Sequence, residues 1–186
     1  MSRNVRQTDE HTVRHGGPRV VSPELVPEPL TAAGFAPFGD VIEASGPFVL
    51  INDGSTKRFH DLVRIDNFGE GGRAAISIFT VKKQLFPFPV RMLERHPLGS
   101  QAFIPRLSNR FLIVVAPPME HIQSSDLRAF WSDGRQGVNY RAGVWHHPVL
   151  ATVDDDEFLV IDRVGPGKNC DEIAFSEGER RVLLWA

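Results

Sequence analysis

The chain has 186 residues, of which 41% are hydrophobic and 24% charged, and its formal net charge is −2. This composition is typical of one soluble globular domain with its own core. The small net charge and the lack of a Lys/Arg run exclude a basic nucleic-acid-binding surface. The longest apolar run, residues 111–118, is too short for a membrane helix. A single cysteine, Cys170, leaves no internal disulfide, so we expect a cytoplasmic protein without membrane or nucleic-acid partners.

The first part of the chain predicts a tail followed by one domain. Residues 1–20 are polar and carry almost no core-forming side chains, which predicts a disordered N-terminal tail. Three prolines then keep the chain extended. Thr31 is suited to cap a short helix that runs to Phe35. We expect residues 21–186 to form a single domain.

Most of that domain consists of short runs rich in β-branched and aromatic residues, bounded by Gly, Pro, Asn and Asp, which is typical of strands. Ten strands are predicted, at Val41–Ala44, Phe48–Asn52, Phe59–Ile65, Ala75–Lys82, Val90–His96, Gln101–Pro105, Phe111–Ala116, Val144–Ala151, Phe158–Arg163 and Arg181–Trp185. The sequence Asn-Asp-Gly-Ser at residues 52–55 predicts a tight turn between the second and third of them. Residues 86–89, Phe-Pro-Phe-Pro, are excluded from a central strand because proline lacks the N–H donor.

A second short helix is predicted near residue 130. Ser125 or Asp126 would cap it, residues 127–131 would form it, and Gly134 would end it. Ten strands with one or two short helices predict an all-β fold whose sheet closes or doubles to protect its edges. A cupin-type antiparallel β-barrel or jelly roll is the expected architecture. Barrels of this kind bind ligands in their mouth.

Two short segments carry the polar side chains expected of a site. The first contains Glu94, His96 and Gln101, and the second contains His146 and His147. Residues i and i+2 of a strand share a face, so Glu94 and His96 can point into one pocket. His146 and His147 alternate, so one of the two faces inward in either register. Convergent carboxylate, imidazole and amide groups predict chemistry on a small polar molecule.

These segments resemble the two metal-binding motifs of cupin barrels, a His-x-His pair followed by Glu and a Gly-x-x-His. The four positions are occupied here by Glu94, His96, Gln101 and His146. An amide in place of a carboxylate binds a divalent transition metal more weakly. Two interpretations therefore remain open. Glu94, His96 and His146 hold a metal ion, or the same residues are acid/base and substrate-orienting groups without one.

A closer resemblance covers roughly residues 25–175. Residues 94–105, Glu-Arg-His-Pro-Leu-Gly-Ser-Gln-Ala-Phe-Ile-Pro, are similar to the signature segment of the ureidoglycolate lyase family, formerly called ureidoglycolate hydrolase. Further matches follow in the same order, at residues 58–62, 127–130, 136–140, 143–148, 158–163 and 169–171. Several co-linear segments of this length are more specific than any single short motif.

The resemblance implies a carbon–nitrogen lyase of allantoin and purine nitrogen breakdown. Such enzymes split (S)-ureidoglycolate into glyoxylate and urea. The family is associated with homodimers and with nickel, so Ni²⁺ or another divalent ion is the candidate cofactor. The small-molecule substrate is the expected partner, together with a second copy of the chain.

This reaction requires a base, an acid, and side chains that bind the carboxylate and the ureido group of the substrate. We predict that His96 and His146 are the acid and base, in an order that the sequence does not assign. Glu94 would orient an imidazole or take the hydroxyl proton itself. Gln101 and Asn139 are predicted to hydrogen-bond the ureido group.

Three further residues are candidates for substrate binding. His60 could reach the pocket, or serve as a supporting or interface residue instead. Arg141 and Arg163 are candidate clamps for the substrate carboxylate, although arginines more often form salt bridges at the surface.

Two other functions fit a cupin barrel. One is a metal-dependent dioxygenase or isomerase, and the other is a non-catalytic cupin that binds a small carboxylate. Neither explains the set of co-linear segments. An amide hydrolase acting on the same substrate would release ammonia instead of urea, and the residues alone do not exclude it.

Overall fold

The computed structural model of the chain describes residues 24–185, so the predicted tail at residues 1–20 lies outside the described residues. The strands, in chain order, are β1 (Glu24–Leu25), β2 (Glu28–Pro29), β3 (Gly39–Ile42), β4 (Val49–Ile51), β5 (Thr56–Arg58), β6 (Arg73–Val81), β7 (Phe88–Pro89), β8 (Met92–Arg95), β9 (Gln101–Pro105), β10 (Phe111–Ala116), β11 (Arg128–Trp131), β12 (Gly137–Tyr140), β13 (Trp145–His146), β14 (Leu150–Ala151), β15 (Asp156–Val164), β16 (Asp171–Ala174) and β17 (Val182–Leu183). The helical elements are α1 (Ala32–Phe35) and two 3₁₀ turns, Ser124–Asp126 and Glu177–Glu179.

These strands form three sheets and one separate hairpin. The largest sheet has the order β16-β8-β13-β10-β11-β2, and β14 also pairs with β10. A five-stranded sheet has the order β3-β12-β9-β15-β6, and a three-stranded sheet the order β1-β17-β7. Most pairs are antiparallel, whereas β1 with β17 and β2 with β11 are parallel. The prediction of an all-β, cupin-like fold is confirmed, and no helix within residues 24–185 is long and apolar enough to cross a bilayer.

The largest sheet is buried on both faces, and β10 shows this most clearly. All six residues of β10 are buried. Phe111, Ile113 and Val115 pack in a core with inward residues of the five-stranded sheet, such as Phe158. The alternate residues of β10 pack in a second core that includes Leu183 of the three-stranded sheet. The described residues therefore form three layers, because consecutive side chains of a strand point to opposite faces.

The predicted first helix and hairpin turn are confirmed. The Thr31 hydroxyl accepts a hydrogen bond from the Gly34 N–H at 3.1 Å and caps α1. Asn52 and Asp53 both have positive φ in the turn between β4 and β5, as a tight hairpin turn requires. The Phe-Pro-Phe-Pro stretch contributes only β7, at the edge of its sheet.

The predicted helix at residues 127–131 is wrong. Residues 128–131 form β11, which pairs with β10 on one side and with β2 on the other. Its Ala129 and Phe130 lie in different cores, an arrangement that suits a strand between two layers. Tertiary burial on both faces therefore overrides the local capping signal. Gly134, with φ of 91°, lies in the turn to β12.

The predicted strand at Phe59–Ile65 is also wrong, since regular pairing ends at Arg58. Asp61 has φ of 56°, in the left-handed region, which interrupts an extended strand. Pro148 divides the predicted strand at residues 144–151 into β13 and β14, because it lacks an N–H. Strands β12 and β16 were missed because polar residues interrupt their apolar pattern.

Gly39 is required where β3 meets β12. A Cβ atom there would lie 1.9 Å from the carbonyl oxygen of Asn139. We expect Gly39→Ala to lower the free energy of unfolding by about 3 kcal/mol, because backbone must move to relieve this overlap. Gly178→Ala, where nothing lies within 4 Å of the new Cβ, should change it by less than about 0.5 kcal/mol. Denaturant unfolding of the two variants measures this, and equal stabilities would contradict the close packing at Gly39.

Candidate active site

Strand pairing brings the two polar segments together. In the register of β8 with β13, Glu94 lies opposite His146. On the other side of β8, Glu172 of β16 also lies opposite Glu94. His96 follows the end of β8, two residues after Glu94, so the strand alternation directs both side chains to one side.

Glu94, His96 and His146 form a compact cluster. Glu94 Oε1 lies 3.6 Å from His146 Nε2 and 3.9 Å from His96 Nε2. The centroids of the two imidazole rings are 5.2 Å apart. The predicted convergence of the three residues is therefore present in the structure.

The backbone fixes which nitrogen of each imidazole carries the proton. His96 Nδ1 lies 2.6 Å from the carbonyl oxygen of Asn169, and His146 Nδ1 lies 3.0 Å from that of Val144. A carbonyl oxygen only accepts, so each neutral ring donates from Nδ1 and carries its lone pair on Nε2. Both lone pairs face Glu94. Nε2 of His96 is buried and has no hydrogen-bond partner among residues 24–185.

Gln101 extends the cluster from the neighbouring sheet. It is 7% exposed, and its Oε1 lies 3.1 Å from His146 Nε2. The His146 Nε2 lone pair and the Gln101 Oε1 oxygen are both hydrogen-bond acceptors, so this contact is unfavourable as it stands. The contact becomes favourable if the amide turns so that its N–H donates to Nε2, or if a cation binds both atoms.

His146 is 1% exposed and stacks on Tyr140, with ring centroids 4.3 Å apart and planes inclined by 10°. Burial lowers the pKa of His146 to about 3, and the neighbouring His96 adds to this shift. His146 is therefore neutral at pH 7. Burial also raises the pKa of Tyr140 well above its usual value, with Glu94 contributing, so its phenol remains protonated.

The pKa of Glu94 shifts in the opposite direction to that of His146. Burial raises the pKa of its carboxyl group, His96 opposes this rise, and the Glu172 carboxylate adds to it. Glu94 therefore takes up a proton more readily than an exposed glutamate does. Cys170 Sγ lies 4.0 Å from Glu94 Oε2. Burial, followed by Glu94, raises the pKa of the Cys170 thiol, so it is not an activated nucleophile.

A cavity of about 280 Å³ opens beside this cluster. It is lined by His96, Ser100, Gln101, Asp162, Arg163, Asn169 and Cys170. The volume suits a small polar metabolite. Gln101 thus links the cluster to the cavity.

Three residues predicted to bind substrate are not brought to this cavity. Asn139 donates to the carbonyl oxygen of Arg64 at 3.1 Å, and its neighbour Tyr140, not Asn139, shares the face of Gln101. Arg141 bonds Asp40 and the carbonyl oxygen of Ala36. His60 is exposed and lines a separate surface pocket beside the β4–β5 hairpin.

Arg163 lines the cavity, but its guanidinium group is directed elsewhere. Its Nε donates to the carbonyl oxygen of Phe68 at 2.6 Å, and Nη2 donates to that of Pro166 at 2.9 Å. A Cβ on Gly72 would lie 2.7 Å from Arg163 Nε. The guanidinium group therefore holds a glycine-rich loop through Nε and Nη2, whereas its buried Nη1 has no hydrogen-bond partner among the described residues.

The structure adds residues that sequence reasoning missed. Ser100, Asp162 and Asn169 line the cavity. The Asn169 side chain also accepts the Leu98 N–H at 2.7 Å, which fixes the loop that carries the partner carbonyl of His96. The sequence did contain one indication for Asp162. Phe158, Val160 and Asp162 alternate along one strand and so share its inward face, and the last of them is a carboxylate.

The donor set also fits a divalent cation. One ligand atom from each of Glu94, His96 and His146 can be chosen so that all three lie within 4.8 Å of one another. Two imidazoles and a carboxylate are ligands that suit divalent transition metals. Metal-binding histidines usually donate their second ring N–H to a carbonyl or carboxylate, which both histidines do here.

Comparison with known proteins decides the family. The family model described as ureidoglycolate lyase matches residues 22–182. The chain belongs to the ureidoglycolate lyase family.

Similar proteins named ureidoglycolate lyase include one from Azotobacter vinelandii, 56% identical over 84% of this chain and 95% of its own length. Another, from Pseudomonas syringae pv. tomato, is 56% identical over 86% of this chain and 94% of its own length. One from Pseudomonas aeruginosa is 55% identical over 84% of this chain and 93% of its own length. The family predicted from the sequence is confirmed.

The low pKa of His146 makes stability depend on pH in a defined direction. The unfolded chain protonates His146 near pH 6.5, whereas the folded protein does so only near pH 3. Stability from this residue is therefore lost as the pH falls below 6.5. Between pH 7 and pH 5 the loss should be about 2 kcal/mol.

Denaturant unfolding at a series of pH values, in the presence of a chelator, measures this effect. The variant His146→Gln has no titrating group at this position. Between pH 7 and pH 5 its free energy of unfolding should therefore fall by about 2 kcal/mol less than that of the wild type. Parallel curves for the two proteins would show that His146 is not held neutral.

Proposed function

We propose that this protein is a ureidoglycolate lyase, which cleaves (S)-ureidoglycolate to glyoxylate and urea in allantoin breakdown. The observation that carries this proposal is the cluster of Glu94, His96 and His146 beside a small polar cavity, in a chain of this family. A metal-dependent dioxygenase or isomerase, or a non-catalytic cupin, would not account for the family match over residues 22–182.

The reaction requires two proton movements. The substrate has one carbon that bears a hydroxyl group, a carboxylate and a urea nitrogen. A base removes the hydroxyl proton, the oxygen forms a C=O bond, and the C–N bond breaks. An acid protonates the departing nitrogen, which leaves as urea, so one proton is taken up and one is returned.

We assign these proton movements to His96 and Glu94. His96 has an unpartnered Nε2 lone pair and lines the cavity, so it is placed to take the hydroxyl proton. Glu94 lies 3.9 Å from that nitrogen, and its raised pKa suits a group that holds and returns a proton. His146 remains neutral, and its Nε2 can accept a hydrogen bond from the protonated Glu94 carboxyl group or from the Gln101 amide N–H turned toward it. This refines the expectation that both histidines exchange protons.

The same atoms would hold a divalent ion, with Ni²⁺ as the candidate implied by the family resemblance. His96, His146 and Glu94 would be its ligands, and a bound ion would supply a Lewis acid that polarises the substrate hydroxyl or carboxylate. Nε2 of His96 has one lone pair, so it cannot bind an ion and accept a proton at the same time. In the ion-bound protein the proton would pass to a carboxylate oxygen of Glu94.

Replacement of the proton-handling residues should slow turnover strongly without unfolding the protein. We expect His96→Gln and Glu94→Gln to lower kcat by about 100-fold or more, because each removes a general acid or base. His121→Gln, at an exposed loop position, should retain the wild-type rate. Glyoxylate, urea and ammonia are measured with purified protein, with and without a chelator.

The products separate the proposed functions. Equal amounts of glyoxylate and urea support the lyase, ammonia in place of urea would show an amide hydrolase, and no glyoxylate would refute the proposal. Loss of activity in chelator with recovery on adding Ni²⁺ would assign a required ion. Wild-type rates in both site variants would refute the assigned proton transfer.

We further propose that the protein is a cytoplasmic homodimer in which β6 meets a second copy. β6 is an edge strand of the five-stranded sheet and has nine residues. Ile76 and Ile78, on its outer face, are 71% and 48% exposed. A long edge strand with exposed apolar side chains on its outer face favours association with another chain. A second copy of this protein can supply the same surface around a two-fold axis.

A charge at the centre of this surface should therefore produce monomers. We expect Ile76→Glu to shift the protein from dimer to monomer in light scattering after size exclusion. Leu85→Glu, a change at a 78% exposed position outside the strand, should leave the dimer intact. A dimer that persists in Ile76→Glu would place the interface elsewhere.

A further inference from the structure

Asp162 is a carboxylate in the cavity wall that the assigned proton transfer does not use. It lies on β15 in the inward series Phe158, Val160, Asp162, of which the first two belong to the core between the two large sheets. In the pairing of β15 with β9, Ile161 lies opposite Ala102, so Asp162 is directed to the same side as Gln101. Asp162 and Gln101 both line the cavity.

This carboxylate has no hydrogen-bonding or ion-pair partner within residues 24–185, and its Oδ1 is buried and unpartnered. Asp162 as a whole is partly exposed, but its buried Oδ1 oxygen has lost water without gaining a donor, which is costly. The adjacent Arg163 forms no ion pair with Asp162, and its Nε and Nη2 bond two loop carbonyl oxygens. A ligand that brings N–H donors into the cavity would supply what Asp162 lacks.

We propose that Asp162 binds the ureido group of the substrate by accepting hydrogen bonds from its N–H groups. This inference rests on the proposed function and deepens it. The ureido group carries N–H donors on both nitrogens, and an ionised carboxylate accepts such donors strongly. Gln101 lies beside it and offers amide groups to the ureido carbonyl or nitrogen.

The position of Asp162 also sets the orientation of the substrate. The other end of ureidoglycolate is a carboxylate, which a second carboxylate repels. The substrate therefore enters with its ureido end toward Asp162 and its carboxylate away from it. Asp162 thus selects ureido compounds over simple hydroxy acids of the same size.

Two inert ligands separate ureido recognition from general binding. Ureidoacetate (N-carbamoylglycine) keeps the ureido group and carboxylate but lacks the hydroxyl, so it cannot be cleaved. Glycolate keeps the hydroxyl and carboxylate but lacks the ureido group. Calorimetry measures the Kd of each ligand for wild type, Asp162→Asn and the control Glu157→Gln, which removes a negative charge on the same strand where it pairs with Arg106.

We expect Asp162→Asn to weaken ureidoacetate binding at least tenfold and to leave glycolate binding unchanged or tighter. Its KM for ureidoglycolate should rise, and Glu157→Gln should match wild type throughout. Unchanged ureidoacetate binding, or an equal loss for both ligands, would overturn the role of Asp162 while leaving the lyase intact. Wild-type protein that neither binds ureidoacetate nor releases glyoxylate would refute the proposed function, and this inference with it.

Discussion

The site depends on two hydrogen bonds from imidazole rings to the backbone. His96 donates to the carbonyl oxygen of Asn169, and His146 to that of Val144. Neither acceptor can donate, so both rings present their Nε2 lone pairs to Glu94. The surrounding structure serves this arrangement: β13 pairs His146 with Glu94, and the loop after Val164 supplies the acceptor for His96.

Different surroundings then give the two histidines of the cluster different roles. His146 is buried behind the cavity, stacked on Tyr140, and remains neutral because its surroundings exclude water. His96 reaches the cavity with a free lone pair. Glu94 lies between them with a raised pKa. One arrangement can therefore support either proton transfer or the binding of a divalent ion, because both uses need the same lone pairs.

The sequence predicted the all-β, cupin-type fold and the meeting of Glu94, His96, Gln101 and His146, because strand alternation and motif spacing are local properties. It failed where burial on two faces overrides local signals, as in β11, which resembled a capped helix. It could not show how Arg163 is held, although its residue type suits a clamp. Its actual acceptors come from a loop that only the three-dimensional fold brings over it. Asp162 was overlooked because an acidic residue at the end of an apolar strand usually marks the surface.

Nuclear magnetic resonance of the protein labelled with ¹⁵N histidine, in the presence of a chelator, tests the central arrangement most directly. The nitrogen shifts report which ring atom carries the proton. The structure predicts that the neutral rings of His96 and His146 both carry their proton on Nδ1 and a lone pair on Nε2, and that His146 does not change protonation between pH 8 and pH 5. A His146 ring that is protonated at Nε2, or that titrates near pH 6.5, would contradict this account.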